Sequence, residues 1–138
     1  MIPRSKVLAA LVAVTLVMCS GRSASAECVQ VSDDMAFSGA AQIFVADVTS
    51  VEFRVDDPKM FQRVSFRVVE RFKGPGTMQP FYDFRVMTPG FNFVAGQRVL
   101  VYLGESGGEW RVNACGRTRT IALDDPVLLA LRQKAAGK

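Results

Sequence analysis

The stretch "QRVSFRVVERF", residues 62–72, decides the fold class. Val64, Phe66, Val68 and Phe72 fall on one side of an alternation, with Arg63, Ser65, Arg67 and Arg71 on the other. Side chains on a strand point to opposite faces in turn, so this reads as a strand with one buried and one wetted face. Turn chemistry brackets it, "DDPK" at 56–59 before and "KGPG" at 73–76 after.

The same grammar extends in both directions. Upstream, "AQIFVADVTSVEFRV" (41–55) is β-branched and aromatic. Downstream, "PFYDFRVMT" (80–88) places Tyr82, Phe84 and Val86 on one face, and "QRVLVYLG" (97–104) is nearly all apolar. "EWRVNA" (109–114) alternates again, with Trp110 and Val112 inward. "TPG" (88–90) and "ESGG" (105–108) supply the remaining turns. Five strands at this spacing predict a mainly β domain, a small antiparallel barrel or sandwich. Two helices flank it. "SDDMAFSGA" (32–40) offers Ser32 as N-cap with Asp33 and Asp34 in its first turn. "DDPVLLALRQKAA" (124–136) has Asp125 as N-cap, Pro126 at the first helical position and an apolar stripe of Val127, Leu128 and Leu131.

The beginning of the chain has a different logic. Arg4 and Lys6 precede an apolar run, Val7–Met18, interrupted only by Thr15, and Ala24-Ser25-Ala26 ends a small-residue segment. Basic, apolar, then small-x-small predicts a secretory signal over 1–26, and the run is too short for a permanent membrane span. Lipidation at Cys19 is the rival processing route, although Met18 stands where that signal wants a small residue. A single domain is expected over 27–138, in the periplasm or outside the cell. Three of the 17 basic residues (Arg4, Lys6, Arg22) lie in the signal and none of the 13 acidic ones do. The remainder carries 14 basic and 13 acidic residues, a net charge of +1 in place of +4. That balance gives no support to nucleic-acid binding. Cys28 and Cys115 remain, and an even count in an exported chain favours a disulfide. A thiolate activated by Arg117 is the alternative.

Several chemistries are disfavoured by what the sequence lacks. The chain has no histidine, which removes the commonest general base, the Ser-His and Cys-His pairs and the commonest metal ligand. No glycine-rich phosphate loop follows a strand. Asp33-Asp34 and Asp124-Asp125 sit at helix starts, and Asp56-Asp57 precedes Pro58 in a turn. No catalytic residue, metal or cofactor is expected. The stripe Arg63, Arg67, Arg71 reads as a solvated face paired with acids such as Glu52 or Asp83, with an anion- or partner-binding surface as the sharper alternative.

An ordered set of residues resembles a known family. Cys28, then "AFSGAAQIFVADV" (36–48), "FKGPG" (72–76), "FVAGQRVLVYL" (93–103) and a tryptophan five positions before "CGRTR" (115–119) look like the bacterial relatives of the tissue inhibitors of metalloproteinases. The resemblance covers 28 to about 121. It implies a five-stranded OB-type Greek-key barrel of the netrin-like kind, with a disulfide, Cys28 to Cys115, tying its start to its last strand. The family opens with two cysteines one residue apart and has a third before the strand that here reads "RVLVYL". This chain has only Cys28 at its mature start, and "TPGFNF" (88–93) has no cysteine. In the animal inhibitors the first residue's amino group and carbonyl chelate the protease zinc. The resemblance therefore implies Glu27, Cys28 and Val29 as the edge that meets a metalloprotease. Two functions are expected from this: a non-enzymatic binding module that inhibits a metalloprotease, or a structural or adaptor protein of the cell envelope. Intact mass is the direct check. The exported protein is expected to begin at Glu27 and to weigh two hydrogens less than its reduced form; two freely alkylated thiols would remove the bridge.

Overall fold

The computed structural model describes residues 31–54, 56, 61–75, 77–85, 91–112 and 117–137. Helix α1 (Asp33–Gly39) leads into strands β1 (Gln42–Arg54), β2 (Phe61–Lys73), β3 (Phe81–Arg85), β4 (Arg98–Ser106) and β5 (Glu109–Arg111). A short β6 (Arg119–Thr120) and helix α2 (Pro126–Ala136) complete it. Both predicted N-caps form. The Ser32 hydroxyl accepts from the Met35 amide at 3.2 Å, and the Asp125 carboxylate accepts from the Val127 amide at 3.0 Å.

The strands run antiparallel in the order β3-β2-β1-β4-β5, with β6 added to β4. The ends of this sheet, β3 and β5, curl round to touch. The result is a nearly closed five-stranded barrel with the strand order of an OB-type Greek key. Side chains close the β3–β5 seam. The Arg85 guanidinium donates to both carboxylate oxygens of Glu109 at 2.8 and 2.5 Å, and the Tyr82 and Trp110 rings meet edge to face at 5.2 Å. The β4–β5 hairpin turns on Gly107 and Gly108, at φ 60° and 77°. Two successive positive φ values define the tight turn whose twist suits a hairpin, and glycine adopts them without strain.

Two cores flank one layer of sheet. Inside the barrel lie Phe44, Ala46, Val48, Val64, Phe66, Tyr82, Phe84, Phe93, Val99, Val101, Leu103 and Val112. On the outside, Ile43, Val45, Phe72 and Leu100 are covered by Leu128 and Leu131 of α2. Strands β1 and β4 are therefore buried on both faces, which explains the nearly continuous apolar run at 97–104.

The alternation of β2 does not survive intact. Val64 and Phe66 face the interior as expected, but Phe72 belongs to the outer core and Val68 is 36% exposed. For Phe72 the cause is the register shift between Val45 and Ala46, which leaves Val69 as an extra residue ahead of it; at the next shift, between Ile43 and Phe44, Phe72 is itself the extra residue. Each shift sets an extra β2 residue against β1, and an odd insertion exchanges the faces of the residues beyond it. β6 was not expected either; its two residues are too few for any periodicity.

A polar contact sits inside this packing. The Tyr82 hydroxyl donates to Gln42 Oε1 at 2.8 Å, and both residues are buried. Gly74, at φ 132°, passes so close that an added Cβ would stand 3.1 Å from Gln42 Cγ. Removing the hydroxyl leaves the amide oxygen dry. Tyr82→Phe is expected to cost about 1–3 kcal/mol in urea unfolding, and Tyr82→Phe with Gln42→Met to recover part of that. An unchanged midpoint for the single variant would mean that water takes the place of the phenol.

Candidate functional site

The chain just ahead of β1 is held by three cations from three parts of the fold. The Arg117 guanidinium donates to the Val31 carbonyl at 2.6 Å and pairs with Asp33 at 2.6 Å. Lys73, at the end of β2, donates to the carbonyls of Phe37 at 2.7 Å and Ser38 at 3.0 Å, in the last turn of α1, where a cation meets the negative end of the helix. Lys134 of α2 pairs with Asp34, and that contact holds the carboxyl below its ordinary range. α1 has seven residues and no fully buried side chain. A helix this short does not persist on its own, so these charge-assisted contacts and Phe37 packing on the outer core fix its position.

Each described residue after Cys115 in "CGRTR" has a partner. Arg117 reaches back across 86 positions to Val31. The Thr118 hydroxyl accepts from the Tyr102 amide at 2.9 Å and so extends the pairing of β4 beyond β6. Arg119 pairs with Asp125 at 3.0 Å, the residue that also caps α2. This short run thus binds the start of the domain, the last long strand and the final helix together.

A second polar cluster lies on the outer face of β1. Asp47 accepts from Arg98 Nε at 2.7 Å and Nη2 at 3.0 Å, and from Arg67 Nη2 at 2.7 Å. Arg98 first, then Arg67, hold its carboxyl far below the ordinary range. The three line a groove of about 550 Å³ that runs to Leu123. Asp34, Glu70 and Asp125 are depressed as well, by Lys134, by Arg132 and chiefly by the Val127 amide. Carboxyls held ionised in this way serve as anchors for cations and are poor proton donors near neutrality. Among the described residues no group of three or more acids and thiols could hold a metal ion. Among them, too, no helix is long and apolar enough to cross a membrane.

The edge Glu27, Cys28, Val29 and the partner cysteine Cys115 lie outside the described residues, as do the signal segment and Cys19. Of the arginine stripe, Arg63 pairs with Asp83, one of the two acids the sequence suggested, through two hydrogen bonds at 2.9 and 3.1 Å. Arg67 goes to Asp47, and Arg71 stands across the ladder from Phe44. One bulge of β2, at Val69, lies between Arg67 and Arg71 and exchanges their faces, so the three do not form one continuous surface. Local patterning did not single out Asp47, Arg98 or the grip of Arg117, because each pairs residues far apart in the chain. No family model matches the chain, and no curated protein does.

The depressed carboxyls set a pH dependence. Their folded values lie below unfolded ones of about 3.9 for Asp and 4.3 for Glu, so the folded state binds fewer protons. The stability they contribute is complete above those unfolded values and is lost as pH falls through the folded ones. With no histidine to titrate, the melting temperature is expected to stay level from about pH 5.5 to 7.5 and to drop below about pH 4. Asp47→Asn should shorten that acid limb most. A decline centred between pH 5 and 7 would contradict this assignment.

Proposed function

We propose that this chain is an exported, non-enzymatic binding module of the tissue-inhibitor-like OB class. It offers Glu27, Cys28 and Val29 to a protein partner, and a zinc metalloprotease is the partner class this edge suits. The observation that carries the reading is the double grip of Arg117 on Val31 and Asp33. A chain start that acts as a wedge binds tightly only if it is ordered beforehand, since ordering it on contact costs affinity. Arg117 supplies an anchor two positions after Cys115 and, through Val31, three positions after Cys28. Three residues span roughly 10 Å at most, so a Cys28–Cys115 bridge is within reach of that anchor.

Two further features favour binding over catalysis. Aromatic rings fill the barrel: Phe44, Phe66, Tyr82, Phe84 and Phe93 stack or meet edge to face at 5.4–6.5 Å. Recognition then falls to the surface and the chain ends. The anchored carboxyls also lack the raised values that acid catalysis at neutral pH calls for. The α-amine of Glu27, once deprotonated, is a ligand for a metal held by the partner.

The test is inhibition of a panel of zinc endopeptidases with a fluorogenic peptide substrate. Protein beginning at Glu27 is expected to inhibit at least one of them, and one extra residue ahead of Glu27 to abolish the effect. Arg117→Ala is expected to raise the inhibition constant roughly tenfold, about 1.4 kcal/mol. If the protein beginning at Glu27 inhibits none, the protease reading fails. Cross-linking in intact cells would then test the envelope-adaptor reading.

A further inference from the structure

We propose that the outer half of β1 pairs edge to edge with the same segment of a second copy of this chain, and that Glu52 and Arg54 set the register. This inference is independent of the protease reading.

β1 is longer than its neighbour. Its ladder with β4 runs from Gln42 to Asp47 and ends at Val48, whose amide bonds the Gln97 carbonyl and whose carbonyl accepts from Gly96. From Thr49 to Arg54 only β2 flanks it among the described residues. The direction of the remaining backbone groups follows from the ladder. The amide of Phe66 points away from β1 and bonds the Pro80 carbonyl. Groups alternate along a strand, so Val64 and Gln62 point away from β1 as well. Their partners across the ladder, Val51 and Phe53, therefore aim their amides and carbonyls at the open edge. An unpaired, regular edge is a template for another strand.

The side chains identify the occupant. Phe53 is 61% exposed, the most exposed aromatic ring among the described residues. Glu52 and Arg54 flank it on the other face, both exposed; Glu52 interacts electrostatically with Arg63 across the ladder, but among the described residues no hydrogen bond joins Glu52 or Arg54 to an opposite charge. Arg63, opposite Glu52 in the ladder, gives its bonds to Asp83. An antiparallel two-fold pairing centred on Phe53 lets its amide and carbonyl bond the Phe53 of the other copy. Glu52 of each copy then faces Arg54 of the other twice, in the position where cross-strand side chains approach most closely. The register centred on Val51 is worse. It makes no charge pair and sets Arg54 against Val48, whose edge Gly96 and Gln97 already occupy. One sheet edge, two ion pairs and an aromatic pair make a small interface, so a weak dimer is expected.

Sedimentation velocity on the purified protein, from micromolar to about 1 mM, tests this. The unmodified chain is expected to show reversible self-association. Glu52→Arg and Arg54→Glu each place like charges opposite one another and should weaken it at least roughly tenfold. An equimolar mixture of the two variants sets every charge against its opposite and should restore association, as heterodimer. Both positions are exposed, and circular dichroism checks that each variant folds. A protein that stays monomeric throughout, or a dimer that neither substitution weakens, overturns the proposal. So does a mixture that associates no better than its components.

Discussion

From Gln42 to Val48, β1 has a neighbour on each edge and a core on each face. Phe44, Ala46 and Val48 point into the barrel, while Ile43 and Val45 point out of it. A strand buried on both faces cannot sit at the surface of a two-layer domain, so the outer face must have its own cover. α2 provides it. Its 11 residues are too few for a stable isolated helix, and its stability comes from Leu128 and Leu131 seated on Ile43, Val45 and Leu100. Full burial of each leucine contributes roughly 1.5–3 kcal/mol. The Arg132–Glu70 and Arg119–Asp125 pairs then fix where on the barrel the helix lies.

The barrel also needs curvature, and the bulges on the β1–β2 ladder supply it. Three register shifts lie within the first nine residues of β1. Each bends the ribbon and increases its twist, which brings β3 round to β5. The seam that remains is held by Arg85 on Glu109 and by Tyr82 on Trp110. Phe72 reaches the outer core because the bulge at Val69 moves the residue to the other face.

The strands and helices were legible because their periodicity and caps are local properties. Val64 with Phe66, Tyr82 with Phe84, and Ser32 and Asp125 as caps all follow from neighbours in the chain. Bulges were not legible. An extra residue leaves the composition of a strand unchanged and alters only what stands opposite it, so Phe72 was assigned to the wrong face. The site shows the same limit. Read locally, the arginines close behind Cys115 leave an activated thiol open as the alternative to a disulfide and say nothing of their own partners. Yet Arg117 spends its donors on Val31 and Asp33, and Arg119 on Asp125, and the first of these partners is 86 positions away.

The two proposed contacts fall at opposite ends of β1. The moored segment lies beside the start of the strand, and the open edge at Val51 and Phe53 lies near its finish. Eleven positions separate Gln42 from Phe53, roughly 30 Å or more along even a bent strand. Edge pairing of two copies would bury neither Val31 nor Arg117. It would also set the two moored segments on opposite sides of the two-fold axis. A pair of this kind could engage two separate partners, or two sites on one large surface, with gain from avidity only where those sites match the span.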